Sequence, residues 1–447
     1  MYKPVFDIND LIQITNAKLV NNAPSGVFSI STDTRTITEN DVYLALCGNV
    51  FDGHDFVIGA FKKGIKLAII DKHHEALFIQ ENYPFLVVEN TQEAYLKIAK
   101  AHKDRQNAKI IAVTGSSGKT TTKELFYAVF NSKYKTQKSL KNHNNEIGLC
   151  QTLLSIEPDT QYCIVEMGMR AMGEIDLLAK YANPDISIIT NAGSAHIGIL
   201  GSLENIAKAK CEVANYLSGK GLLVAHNNEM IKNNLKSGNY KKIFYDMNDA
   251  TIIERKVNFS KFLYKNNEFI LPDGADYNVL NSLSVINVAL EEGFSPEEIN
   301  KGLLGFKNIE FRNESYQLKS GATVISDCYN ANPESACASL KNLAQIYSDK
   351  KVVIVFGDML ELGEFELQYH KQIGELINSL NVNYFVSVGK LAKITAAEVI
   401  NTPKRIFENV VEAAEFLPTI MDENTVVFLK ASRGMQFEKI LEIIREK

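Results

Sequence analysis

The chain has 447 residues, 45% of them hydrophobic and 23% charged, with a net charge of −5, enough for about three globular domains. Without a run of basic residues, that balance argues against nucleic acid as the main partner. Six cysteines form no CxxC pair, which favours reduced thiols over a disulfide framework. Acidic residues where a leader needs an apolar core, and no apolar run of membrane-spanning length, give the expectation of a cytoplasmic protein with no membrane partner.

Residues 1–107 read as a first α/β unit. Val27–Thr38 and Asp41–Gly48 are β-like, a helix near Phe56–Lys63 leads to a strand at Leu67–Ile70, and a strand at Leu86–Val88 precedes a helix over Thr91–Lys103. Two polar clusters, Ser31-Thr32-Asp33-Thr34-Arg35 and Asp52-Gly53-His54, fall at strand ends. Arg35 and the hydroxyls suit a phosphate or sugar; ordinary turn chemistry accounts for the same spacing.

Residues 108–311 read as a second unit, opening on Ile110–Lys123, IIAVTGSSGKTTTK. A buried apolar strand breaks into Gly115-Ser116-Ser117-Gly118 and restarts with Lys119-Thr120 at the head of an amphipathic helix. Strand, glycine loop and helix cradle phosphates, because loop N–H groups and the helix N-terminus point at the anion. Lys119 would reach the terminal phosphates and the Thr120 hydroxyl a Mg²⁺, although Val113 stands where the general pattern has glycine. Asn142, Asn144 and Asn145 crowd the next loop, as turn caps or as ligand contacts. A strand over Tyr162–Gly168 carries Glu166 and one over Asp185–Thr190 precedes His196, placing both near the carboxyl ends of strands, where α/β sheets bind ligands. Glu166 is a candidate Mg²⁺ anchor; His196 reads equally as a satisfied loop histidine.

The helix expected over Asn205–Leu217 has an apolar stripe of Ile206, Ala209, Val213 and Leu217, with Lys210 on or beside it and Lys208 pointing out. A lysine on an inward stripe either snorkels to the surface or has a depressed pKa and a chemical role. Strands at Leu222–Ala225 and Lys242–Phe244 extend the sheet, and residues 250–271 alternate as a meander turning at Lys265-Asn266-Asn267. A helix over Asp276–Glu292 carries Asn278 and Asn281, and Ser295-Pro296-Glu297-Glu298 starts another with a capping box.

Residues 312–447 resume βα alternation after a hinge at Phe311-Arg312-Asn313, with strands at Thr323–Ser326, Val352–Phe356, Tyr384–Val388 and Val426–Leu429 and helices from Pro333, Phe365 and Gln436. Polar clusters follow three strands: Asp327-Cys328-Tyr329-Asn330-Ala331-Asn332, Gly357-Asp358-Met359-Leu360-Glu361-Leu362-Gly363-Glu364, and Lys430-Ala431-Ser432-Arg433-Gly434. They place a second crevice here.

Together these clusters resemble the ATP-dependent Mur ligases of peptidoglycan synthesis over nearly the whole chain. TGSSGKTTTKE is similar to that family's own phosphate loop, which also lacks the first glycine. NHNNEIG, VEMGM with GEI, TNAGSAHIG with GS, and AKAKCE follow in the family's order, and SDCYNANPES with FGDMLELGE resembles the member that adds D-alanyl-D-alanine. Tyr277 stands where the family usually reads histidine, Cys150 replaces a frequent proline, and Phe311-Arg312-Asn313-Glu314 lacks the glycine usual before the hinge arginine.

The resemblance implies an α/β protein of three domains: an N-terminal domain for the UDP end of UDP-MurNAc-tripeptide, a central P-loop ATPase domain with a mostly parallel sheet, and a Rossmann-like C-terminal domain for D-Ala-D-Ala. It further implies ATP and two Mg²⁺ as cofactors, and a monomer. Gly115, Ser116, Ser117, Gly118, Lys119, Thr120 and Thr121 would hold the ATP phosphates, with Asn281 by the adenine and Arg312 by the phosphates. Thr120 and Glu166 would ligate one Mg²⁺, and His196 a second, with Lys210 as its carbamate serving a metal. Ser31, Thr34, Arg35, Asp52, Gly53 and His54, with Asn144 and Asn145, resemble the UDP-substrate end, and Tyr329, Asn330, Asn332 and Arg433 the dipeptide or stem contacts. A sibling ligase (third-residue-adding, or a folylpolyglutamate synthase) shares the ATPase core but not the last two motifs. A non-catalytic ATP switch would need no second metal site.

Overall fold

The computed structural model describes residues 2–48, 50–78, 81–140, 143–307 and 312–446; Asn142 and Phe311 lie outside them. Strands β1 (Phe6–Asp7), β2 (Lys18–Val20), β3 (Val27–Ser31), β4 (Asp41–Leu44), β5 (Ala68–Asp71) and β6 (Phe85–Val88) form one sheet in the order β1-β3-β4-β5-β6-β2. The strands β3 to β6 run parallel, and the short edges β1 and β2 pair antiparallel. The strand expected to reach Thr38 stops at Ser31, because the Asp33 carboxylate accepts the Arg35 N–H at 2.9 Å and turns the chain. The polar lead-in holds a helix, Ile8–Thr15, capped by Asp7.

The second sheet contains β7 (Lys109–Thr114), β8 (Thr136–Lys138), β9 (Tyr162–Glu166), β10 (Ile186–Ile189), β11 (Leu222–His226) and β12 (Lys241–Tyr245), in the order β12-β11-β10-β7-β9-β8. The pairs β8–β9 and β11–β12 are parallel. Ile110, Ile111 and Val113 are fully buried, as the unbroken apolar run requires of a strand covered on both faces. Each such side chain contributes about 1.5–3 kcal/mol by leaving water. The meander forms its own antiparallel sheet of β13 (Ala250–Lys256), β14 (Phe259–Tyr264) and β15 (Asn267–Leu271). It turns where Lys265 and Asn266 take φ of 47° and 61°, the left-handed pair that matches strand twist in a tight hairpin. The helix carrying Lys210 is shorter than its stripe implied: it spans Leu203–Cys211 and passes into a 3₁₀ turn, Glu212–Ala214.

The last sheet comprises β16 (Glu314–Gln317), β17 (Thr323–Ser326), β18 (Lys351–Gly357), β19 (Tyr384–Val388), β20 (Lys404–Phe407) and β21 (Thr425–Lys430), ordered β16-β17-β21-β18-β19-β20. It is parallel except for β16. Only the central strands were legible, since the edges β16 and β20 are largely exposed and carry no apolar run.

By contact the chain divides into two compact units, Met1–Ala112 with Tyr134–Met167 and Leu177–Ile186, and Val113–Lys133 with Gly168–Asp176 and Ser187–Lys447. These limits differ from the expected boundaries at 107/108 and 311/312. Within the first unit, the helix Thr91–Asp104 packs on the helix Glu146–Leu154, and buried His102 lies with Nε2 2.8 Å from the Ile156 carbonyl oxygen. The second unit takes in the phosphate-loop helix together with the whole C-terminal sheet. No helix among the described residues is long and apolar enough to cross a membrane.

Candidate active site

In the second unit, the loop between β7 and the helix Lys119–Phe130 depends on two glycines. Gly115 has φ 152°, and a Cβ there would lie 1.9 Å from Thr190 Oγ1; Gly118 has φ 77°, and its Cβ would lie 2.6 Å from Asn281 Oδ1. Both positions exclude a side chain on conformation and on space. Asn191 locks the loop: its Oδ1 accepts from Ser116 N (3.0 Å) and Ser117 N (2.9 Å), and its Nδ2 donates to Ser117 Oγ (2.8 Å). Thr190 Oγ1 donates to the Ser117 carbonyl at 2.6 Å. Gly118 caps the helix without a side-chain bond, so no capping side chain competes with an anion for the positive helix end. Lys119 Nζ donates to the Gly115 carbonyl at 2.8 Å, and the neighbouring Thr120 and Thr121 are buried.

Asn281, expected by the adenine, is buried with its side chain against Gly118 at the head of the helix Lys119–Phe130. Arg312 reaches the same place: its Nη2 donates to Thr120 Oγ1 at 3.2 Å, and its guanidinium lies 4.3 Å from the centre of the Tyr329 ring. Asn332 caps the helix Pro333–Ile346 and its Nδ2 lies 3.5 Å from the Ser116 carbonyl, the far limit of a hydrogen bond. Asn330 is exposed with its amide oxygen turned to the Ala331 N–H, and exposed Arg433 pairs with Glu438 at 3.2 Å.

His196 and Lys210 belong to this unit too. Lys210 is 1% exposed, so the inward face inferred from its helical position is the observed one. Burial first, and the nearby Lys119 charge second, hold its amine well below the usual lysine range. Burial likewise lowers the His196 pKa, with Lys119 and Lys210 adding to the shift and Glu361 opposing it. Glu361 Oε2 lies 2.7 Å from His196 Nδ1. Two residues earlier, Ser194 N and Oγ both donate to the Glu334 carboxylate at 2.8 Å. Asn191, Glu334 and Glu361 were not singled out from sequence: Asn191 lies in the TNAGSAHIG motif, Glu334 in the first turn of the helix Pro333–Ile346 and Glu361 in the polar cluster after β18, and each signal marked the segment and not the residue.

In the first unit, Glu166 is buried at the end of β9, and Asn144 Nδ2 donates to its Oε1 at 3.1 Å. Asn145 caps the helix Glu146–Leu154 by accepting from Gly148 N, the turn role open to it from sequence. Arg35 is 87% exposed and forks onto Asp33, Ser31 Oγ bonds the Asp33 backbone, and the Thr34 carbonyl accepts from Lys63. His54 is a framework residue: 3% exposed, it has Nδ1 2.7 Å from Asp52 Oδ1 and accepts the Asp71 N–H at Nε2 (3.2 Å). Its ring stacks on His74 at 3.8 Å. Burial disfavours charge on His74, but Asp71 and Asp52 outweigh it and raise the pKa. Gly53 is required because a Cβ would lie 2.7 Å from Leu46 backbone atoms.

Family models match in series: "Mur ligase family, catalytic domain" over 27–103, "Mur ligase middle domain" over 113–289 and "Mur ligase, glutamate ligase domain" over 311–433. Among curated relatives, the UDP-N-acetylmuramoyl-tripeptide–D-alanyl-D-alanine ligase of Bacillus subtilis is 34% identical over 94% of this chain and 93% of its own length. The Escherichia coli protein of that name is 28% identical over 98% of each. The crystal structure of MurF from Acinetobacter baumannii superposes with a TM-score of 0.90 at 28% identity, covering 100% of both chains. MurF of Thermotoga maritima in complex with ADP superposes at 0.83 with 25% identity, covering 94% of this chain and 97% of that one. A phosphate loop joined through Arg312 and Asn332 to a YNANP helix cap, in a chain so matched along its length, belongs to the Mur ligase family and is of the MurF type.

Proposed function

We propose that this chain joins D-Ala-D-Ala to UDP-MurNAc-tripeptide at the expense of ATP. The stem carboxylate attacks the γ-phosphorus, ADP leaves, and an acyl phosphate forms. The dipeptide amine then attacks the acyl carbon, loses a proton, and the tetrahedral intermediate collapses to an amide and phosphate. The observation that carries this reading is the meeting of the two motif sets in one unit, with Arg312 on Thr120 and Asn332 at Ser116. The glycine loop and the motif associated with the incoming dipeptide are therefore neighbours, which supports transfer within one site.

The chain's own groups fit ATP and Mg²⁺. The two glycines let Thr190 and Asn281 pack directly on the loop backbone and fix its shape, and the helix start lacks a side-chain cap that would compete with an anion. Lys119 and the loop backbone hold the phosphates, and Arg312 offsets their charge. Thr120, Glu166 and His196 are the metal ligands we assign. A neutral, buried Lys210 amine is the form that adds to CO₂, releasing a proton to give a carbamate anion that would serve a metal. Bound Mg²⁺ neutralises charge between the phosphates and the attacking carboxylate. Ser31, Thr34, Arg35, Asp52 and Gly53 are assigned to the UDP end, where Arg35 would exchange Asp33 for a phosphate. Tyr329, Asn330, Asn332 and Arg433 are assigned to the dipeptide or stem.

Phosphate release measured with each substrate omitted in turn tests this reading. Release should require ATP, UDP-MurNAc-tripeptide and D-Ala-D-Ala together. Release with a UDP-linked dipeptide and a free amino acid would point to a sibling ligase, and nucleotide binding without release under any combination would refute ligation.

A further inference from the structure

The loop after β18, Asp358–Gly363, is held far more firmly than its position at a strand end requires. Asp358 accepts from Leu391 N (2.9 Å) and Ala392 N (2.8 Å), Met359 N donates to buried His370 Nε2 (3.2 Å), and Leu360 N donates to Ser432 Oγ (2.9 Å). The residue these anchors present is Glu361, left-handed at φ 66°, a conformation disfavoured for any side chain with a Cβ. Its carbonyl accepts from Gly198 N at 3.2 Å, and its carboxylate lies 2.7 Å from His196 Nδ1. His196 is itself left-handed at φ 66°.

The two loops meet without side chains between them. A Cβ on Gly198 would lie 2.5 Å from Gly363 N, and one on Gly363 would lie 2.8 Å from Gly198 Cα. Glu334 clamps Ser194 on the other side of His196. The segment around His196 is thus held on one flank by the Glu334 carboxylate at Ser194 and on the other by the Glu361 carbonyl at Gly198. The Glu361 oxygen is close to Nδ1 but off its hydrogen-bonding direction.

We propose that Glu361 is a positioning residue for His196: its carboxylate engages Nδ1 and so leaves Nε2 as the nitrogen presented to a metal. This rests on the assignment of His196 as a metal ligand. The arrangement is the carboxylate–histidine–metal relay, in which the outer carboxylate sets the tautomer and ring angle of the ligand. Its consequence is specific to this fold: the second metal site is complete only when the loop Asp358–Gly363 is seated on Gly198.

Mn²⁺ binding to the full chain with a non-hydrolysable ATP analogue, followed by electron paramagnetic resonance, tests it. Wild type should bind two Mn²⁺ and H196A one. Glu361→Ala should weaken one of the two sites by about 10–100-fold and leave the other unchanged, with kcat falling while the KM for ATP holds. Glu361→Gln, which keeps an acceptor for Nδ1–H, should return to within a few-fold of wild type. Wild-type Mn²⁺ binding by Glu361→Ala, alongside loss of one ion in H196A, would overturn the positioning role and spare the metal assignment. Equal weakening in the Gln and Ala variants would likewise overturn it, since charge and not orientation would then matter. Two ions retained in H196A would remove the metal assignment and this proposal with it.

Discussion

His370 makes the anchoring of that loop measurable. The side chain is fully buried, Nε2 accepts the Met359 N–H, and Nδ1 lies 2.9 Å from Thr395 Oγ1. A ring that accepts at Nε2 must be neutral, with its proton on Nδ1. Burial pushes the pKa down to about 4 from 6.5, the Asp358 charge only partly opposing it. Between those values the unfolded chain binds a proton here and the native chain does not, so stability rises with pH and is lost as pH falls through the window. At 1.36 kcal/mol per unit, the whole shift amounts to about 3 kcal/mol. His370→Gln does not titrate, and groups common to both proteins cancel in the comparison. Urea unfolding across pH 6.5 to about 4 should therefore show wild type losing stability relative to the variant by about 1.4 kcal/mol per unit. Parallel pH profiles would refute the reasoning, as would a His370 imidazole resonance titrating at its ordinary value.

Lys119→Ala should lower phosphate release by about 10²–10³-fold, the cost of removing one preorganised charge-stabilising group, with binding of the UDP substrate by calorimetry unchanged; equal loss of both would contradict the division of labour. Gly115→Ala forces a Cβ to 1.9 Å from Thr190 Oγ1, so nucleotide affinity should fall by about tenfold and stability by about 1–3 kcal/mol; wild-type values in titration and melting would show that the loop has slack. For Lys210, activity in CO₂-depleted buffer should fall and return with bicarbonate, while Lys210→Ala stays inactive in both. Full activity without CO₂ would dispose of the carbamate.

The apolar runs at Ile110–Val113 and Val352–Phe356 announced buried parallel strands because both faces of each strand need covering, and one-dimensional pattern carries that requirement. Helix caps were equally legible, as with Ser295 and Glu298, since the partners lie within a turn of each other. The inward face of Lys210 followed from helical period alone. Edge strands such as β16 left no apolar trace. What periodicity could not supply was any contact across sequence distance. Asn191 on the phosphate loop, Asn281 under Gly118 and Glu361 on His196 join residues about 75 to 165 positions apart. Their residue types are ordinary for loops. Composition and spacing determined which loops carry chemistry; only the tertiary fold decided which side chains meet there, because that depends on how separate strand ends are brought side by side.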